Sequence, residues 1–166
     1  MLPIPLDRLS NAAPPEASRR RLAGAELRLK RSNEVIDRAH SIRSKYGQEL
    51  GWPELLKLLE DRSCIPFPCE VRFDPDPLLT YECAFSVPRG NEPGDGYTIF
   101  VHPACASELS HVPYLVLYQI ALLALGAHAT PEEAETFGAA ALGLEKDEYC
   151  RALCALADQL GGDELF

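Results

Sequence analysis

The chain lacks most of the signatures that would fix its chemistry outright. Its six cysteines, at 64, 69, 83, 105, 150 and 154, include no CxxC, and their spacings match no standard zinc module. The glycine-containing stretch "RGNEPGDG" (89–96) has neither the lysine nor the following helix that a phosphate-cradling loop requires. No secretory leader is legible: "MLPIPLDRLSNAAPPEA" places prolines at 3 and 5 and charges at 7 and 8, where an apolar region would have to stand. The longest apolar run is about 14 residues, short of the ~20 needed to cross a bilayer. These absences predict a cytoplasmic protein with no membrane segment, whose cysteines are mostly reduced. Positive charge is also scarce over most of the length. Residues 46–166 carry six Lys and Arg against twenty Asp and Glu, a net of −14, which disfavours nucleic acid and anionic membrane as partners.

The remaining positive charge sits at the other end. Residues 1–45 hold ten basic against five acidic side chains, a net of +5, with Arg19, Arg20, Arg21, Arg28, Lys30 and Arg31 close together. This segment is the one candidate for a nucleic-acid contact; the simpler expectation is a helix lying on its own acidic body or facing solvent. With 166 residues, 46% apolar and 25% charged, the chain reads as a single folded domain with an appended arm.

Periodicity gives the elements. Residues 1–16 are proline-rich and aperiodic, an arm. From residue 17 a single α+β domain extends to 166, beginning with a basic helix or helix pair over 17–46. Leu22, Leu29 and Ile36 recur every seventh residue, and Val35, Ala39, Ile42 and Tyr46 continue an apolar stripe. Ser32 and Asn33 are a candidate break, and Gly47 a natural stop. "WPELLKLLEDR" predicts a short helix with Pro53 in its first turn and Leu55, Leu56, Leu58 and Leu59 buried. The period then changes. "CEVRF" (69–73), "TYECAFSV" (80–87) and "YTIFVH" (97–102) alternate as strands. With no βαβ repeat, they predict a small antiparallel three-stranded sheet. Three helices follow: one opened by Pro113 and closed by Gly126, one capped by Thr130 with Glu133 and ending near Gly143, and one over about 145–160 stopped by Gly161 and Gly162. The first of the three, "VPYLVLYQIALLAL", is apolar on every side and should be the buried centre of the domain. Gln119, the amide in its middle, must meet a polar partner there or face a cleft.

The segment "IFVHPACASELSHVPYLVLYQIALLALGAHATPEEAETF" resembles, in its order of strand, loop, buried helix, turn and helix, the layout of compact zincin metallopeptidases. In that family the buried helix carries H-E-x-x-H, in which two histidines one turn apart grip zinc and the glutamate acts as general base. Aligned on that layout, Tyr118 stands at the first His, Gln119 at the Glu and Leu122 at the second His. His128 stands near a third ligand, and Phe137 matches a later aromatic. Tyr is a poor zinc ligand, Leu is none, and Gln cannot take a proton from water. The resemblance therefore implies a zincin-like domain whose catalytic positions are degenerate: a pseudo-metallopeptidase with no catalytic residue and no cofactor. It would keep the groove beside an edge strand, either "TYECAFSV" or "YTIFVH", as a peptide- or protein-binding surface. Gln119 should then face the strands, near His128.

The alternative function is a metal-binding or thiol-dependent protein, with Cys64, Cys69, His102 and Cys105 as the set that would hold zinc or iron. Against it stands the ordinary role of free Cys as a small buried apolar residue. Cys150 and Cys154 share one face of the last helix. His40 should be exposed, and His111 should cap the helix it precedes. Asp74 and Asp76 read as a turn, and Glu132, Glu133 and Glu135 as carboxylates that complement a helix N-terminus. Residues 17–46 are also a candidate homo-oligomer contact through Leu22, Leu29 and Ile36.

Overall fold

The computed structural model describes residues 16–164 other than 48, 81, 127 and 128. It is an α+β fold of five α-helices and a small three-stranded mixed sheet. Residues 1–15 of the proline-rich arm and His128 lie outside the described residues, while Glu16 already belongs to the first helix.

Helix α1, Glu16–Tyr46, runs unbroken for 31 residues, about 46 Å at 1.5 Å per residue. Ser32 does not interrupt it, because its hydroxyl is turned outward, donating to Glu133 Oε2 at 2.7 Å rather than capping its own helix. Among its described side chains, α1 enters the core through Val35, Ala39 and Ile42. Before that stretch Leu27 and Leu29 are 59% and 64% exposed. Helix α2, Trp52–Glu60, buries Leu55, Leu58 and Leu59 but leaves Leu56 outside.

The sheet corrects the sequence reading. Strands β1 (Cys69–Phe73), β2 (Ala84–Pro88) and β3 (Tyr97–Val101) lie in the order β1-β3-β2. β2 and β3 form the expected antiparallel hairpin, but β1 pairs parallel to β3, with Cys69 opposite Tyr97 and Phe73 opposite Val101. An all-antiparallel meander would put β1 beside β2; here β3 inserts between them. The connection 74–96, which contains β2 itself, supplies the dozen or more residues that a parallel crossover needs. "YTIFVH" is therefore the central strand, and β2 is an edge. β2 also starts later than its alternation suggests, at Ala84, and ahead of it the Glu82 amide donates to Leu79 O. Gly96 allows the hairpin to close. Its φ is +84°, and a Cβ there would stand 2.5 Å from Pro68 O, the atom that accepts the Tyr97 amide at 2.9 Å.

A 3-10 turn, Pro103–His111, leads into α3, Val112–Leu125. Together the two span 23 residues with the length and composition of a membrane-crossing segment, although each part alone is shorter. They are not one rod, because Glu108 at φ −125°, ψ 73° breaks the helical path. α3 has the sheet on one side and helices on the others, and buries Val112, Leu115, Val116, Leu117, Ile120, Ala121 and Leu125. His111 does not cap it; its Nδ1 meets Glu108 Oε2 at 2.6 Å instead. Helix α4, Pro131–Leu142, has the expected start, with Thr130 Oγ1 accepting the Glu133 amide at 3.2 Å, and the expected left-handed Gly143 at its end. Arg43 of α1 donates to Leu142 O at 2.9 Å, placing a cation at the negative end of the α4 dipole. Helix α5, Lys146–Glu164, passes through Gly161 and Gly162 rather than stopping at them. It is held to the core by Tyr149, which stacks on Tyr114 and donates to Tyr114 O at 2.6 Å. Gly138 makes that fit possible, since a Cβ there would fall 2.2 Å from the Tyr149 ring and hydroxyl.

Candidate functional site: the groove beside the edge strand

The site grows out of the hairpin register. The His102 amide donates to Cys83 O at 2.8 Å, and the Arg89 amide to Gly96 O at 2.9 Å. In an antiparallel ladder, bonded and non-bonded pairs alternate. The main-chain groups of residues 83, 85, 87 and 89 therefore point to β3, and those of Ala84 and Ser86 point away from it. No strand pairs on that side among the described residues. The side chains of Ala84 and Ser86 turn toward α3, while Phe85 is 47% exposed on the other face.

Gln119 meets this edge from the helix. Its Nε2 donates to Ala84 O at 3.2 Å, and its Oε1 accepts from Ser86 Oγ at 2.8 Å. The amide in the apolar helix thus faces the strands, as expected, and both ends of the amide are engaged. It occupies one of the outward carbonyls of β2. The Ser86 amide and carbonyl and the Ala84 amide remain directed to the open side.

Beside this edge lies a groove of about 330 Å³. It is lined by Leu115, Tyr118 and Gln119 of α3, by Cys83 and Ala84 where β2 begins, by Leu153, Cys154 and Ala157 of α5, and by Glu135 of α4. The lining is mostly apolar with one carboxylate. Tyr118 is pushed up from its ordinary pKa by burial and then by the charge of Glu135. Cys150 rises through burial and through its hydrogen bond to Glu135. Neither change yields an activated nucleophile or base.

Of the four degenerate-site positions, Tyr118 and Gln119 line the groove. Leu122 packs against the core and His128 lies outside the described residues. The candidate metal set is not gathered: among the described residues no three His, Cys, Asp or Glu side chains come together as a metal would need. Cys64 is buried and donates to Asp61 Oδ2 at 3.6 Å. Cys69 is pushed up to about 11 by burial. His102 Nδ1 accepts the Ala104 amide at 3.1 Å and so caps the 3-10 turn. Cys105 is closed off from solvent at 2% exposed.

Several groove residues carried no sequence signal. Glu135 looked like one more carboxylate in the first turns of a helix, and Leu153 like ordinary core. The shared face of Cys150 and Cys154 was visible, but not that it looks onto Glu135 and the groove. Asp74 is a turn residue as expected, accepting the Asp76 amide at 2.9 Å.

No family model matches this chain, and neither a curated protein nor a solved structure does.

Proposed function

We propose that the chain is a non-catalytic, peptide-binding module on a zincin-like scaffold, a pseudo-metallopeptidase in which Tyr118, Gln119 and Leu122 stand where a peptidase carries its ligands and base. The observation that carries this reading is the unpaired edge of β2 lying along an apolar groove. An extended peptide added to that edge exchanges main-chain hydrogen bonds with Ser86 and drops alternate side chains between α3 and α5. Several features support it. Gln119 has both its donor and its acceptor committed to β2 and could not in any case abstract a proton. Leu122 offers no ligand atom. The single carboxylate, Glu135, favours a basic side chain in the occupant. The reading requires no cofactor and places the protein in the cytoplasm, with a protein or peptide partner and no role for a membrane.

The test is to select binders from a displayed library of short linear peptides and to follow backbone amide shifts on titration. Binding should move the Ala84 and Ser86 amides and the Tyr118 ring. Ala157→Trp fills the groove from an exposed position of α5 and should abolish binding without loss of fold. Binders whose shifts map away from β2, or that tolerate the tryptophan, overturn the reading.

A further inference from the structure

The open edge of β2 is not uniform along its length. The residues whose main chain faces away from β3 are 84, 86 and 88, in the register that sets Ala84 opposite Val101 and Pro88 opposite Tyr97. Ser86 presents both an N–H and a carbonyl to the open side. Pro88 has a carbonyl but no N–H, which suits an edge strand and ends the row of donors. Ala84 differs from both. Its N–H is directed outward, but its carbonyl already accepts Gln119 Nε2 at 3.2 Å. The same side chain is held at its other end, where Oε1 accepts the Ser86 hydroxyl at 2.8 Å. Ala84 and Ser86 therefore offer an incoming strand two donors but only one unclaimed carbonyl.

An added strand aims one of its amides at Ala84 O whichever way it runs. In an antiparallel peptide that amide belongs to the residue opposite Ala84. In a parallel one it belongs to the residue whose carbonyl takes the Ser86 N–H. Such an N–H must share the oxygen with Gln119, displace Gln119 from it, or stay unpaired, and each costs affinity. A residue with no N–H avoids all three, and proline is the one coded residue that lacks it. From this mismatch we infer that the groove takes a proline-bearing peptide, with the proline nitrogen facing Ala84 O and an ordinary amide bonding Ser86 O. The fixed φ of proline, about −65°, is tolerated at a strand edge. The lining, with Leu115, Leu153 and Ala157, is mostly apolar and suits a pyrrolidine ring. This inference rests on the peptide reading and narrows it to a class of sequence.

The test begins with peptides of about seven residues, selected on the full chain from two displayed libraries. One library has proline fixed at its centre and the other contains none. Binders that move the Ala84 and Ser86 amides are kept, and each of their residues is replaced in turn by alanine and by N-methylalanine. Methylating the nitrogen that bonds Ser86 O should weaken binding about tenfold. At the position facing Ala84 O, proline and N-methylalanine should both bind about tenfold tighter than alanine. N-methylalanine separates the missing N–H from the shape of the proline ring. This comparison uses the unaltered chain, so it does not depend on any variant folding. Gln119→Leu, which frees Ala84 O, should erase or reverse the preference while circular dichroism shows the fold retained. Binders on β2 that favour alanine over N-methylalanine at every position overturn the inference, as does a proline preference unchanged in Gln119→Leu; either result leaves the peptide reading standing. Binders that map away from β2, or none from either library, overturn both.

Discussion

Replacing Gln119 by leucine and by glutamate separates an amide that holds the sheet edge from one that merely faces a cleft. Leucine removes both hydrogen bonds, leaving Ala84 O and the Ser86 hydroxyl without their partner on α3. At roughly 0.5–1.5 kcal/mol net for each bond, the loss is about 1–3 kcal/mol. The added apolar surface in a half-buried position returns part of this, so a net loss of about 1–2 kcal/mol is expected. For a chain of this size that lowers Tm by roughly 2–8 °C. Glutamate adds a pH signature. A protonated carboxyl can reproduce the amide, donating to Ala84 O and accepting from Ser86. An ionised one has no proton for Ala84 O and sits against apolar neighbours. The substituted side chain should therefore have a raised folded-state pKa. With a raised value, the favourable contribution is full below the unfolded pKa and is lost as pH rises through the folded one. Gln119→Glu should match the parent near pH 4 and fall behind it toward pH 7–8 in thermal melts followed by circular dichroism. Ser86→Ala should be less than additive with Gln119→Leu, since both remove the same bond. A Gln119→Leu protein as stable as the parent, or a Gln119→Glu protein with no pH-dependent difference, refutes the bracing role.

Four further outcomes are expected. Asp61 accepts from Lys45, Ser63 and Tyr46, and these partners, Lys45 foremost, hold its carboxyl well below the usual range. Its stabilising effect is present above the unfolded pKa and lost as pH falls toward the folded one. Asp61→Asn should therefore narrow the gap between Tm at pH 6 and at pH 3, and an unchanged pH profile counts against the cluster. Gly138→Ala should cost about 1–3 kcal/mol in urea unfolding, because the new methyl overlaps the Tyr149 ring. If the exposed leucines of α1 join a second copy, Leu27→Glu with Leu29→Glu should halve the mass seen by light scattering; an unchanged mass removes that contact. Protein purified without chelator or tag metal should carry zinc and iron well below one ion per chain by elemental analysis. A stoichiometric ion would overturn the cofactor-free reading and return attention to the cysteines and histidines.

What the sequence made legible was local. Thr130 with Glu133, Gly126 and Gly143 mark helix ends because each acts on backbone within a turn of itself. The buried character of α3 was legible because an apolar surface on every side leaves no solvated face. The strand order was not, since alternation has period two whether the neighbour runs parallel or antiparallel. Ser32 looked like a break because its own preference is to cap; a carboxylate 101 residues away took its hydroxyl instead. Gly161 and Gly162 looked like a stop because glycine weakens helices, yet α5 continues through them. The same limit applies to the candidate site. That Gln119 required a polar partner followed from its surroundings, but that the partner was an outward carbonyl of β2 depended on the register.

The order β1-β3-β2 also settles what the folded chain keeps out of reach. β3, "YTIFV", is uncharged, β-branched and aromatic, and free of proline and glycine: the composition of a segment that stacks into fibrils when its edges are bare. One of its edges is closed by β2 through the short loop 89–96. The other is closed only by β1, at the far end of a connection whose closure costs about 1 kcal/mol more on loop-length scaling. β1 is thus the guard of this self-adhesive stretch, and the guard held by the longer tether. Damage to β1 endangers solubility before it endangers the groove on the opposite edge.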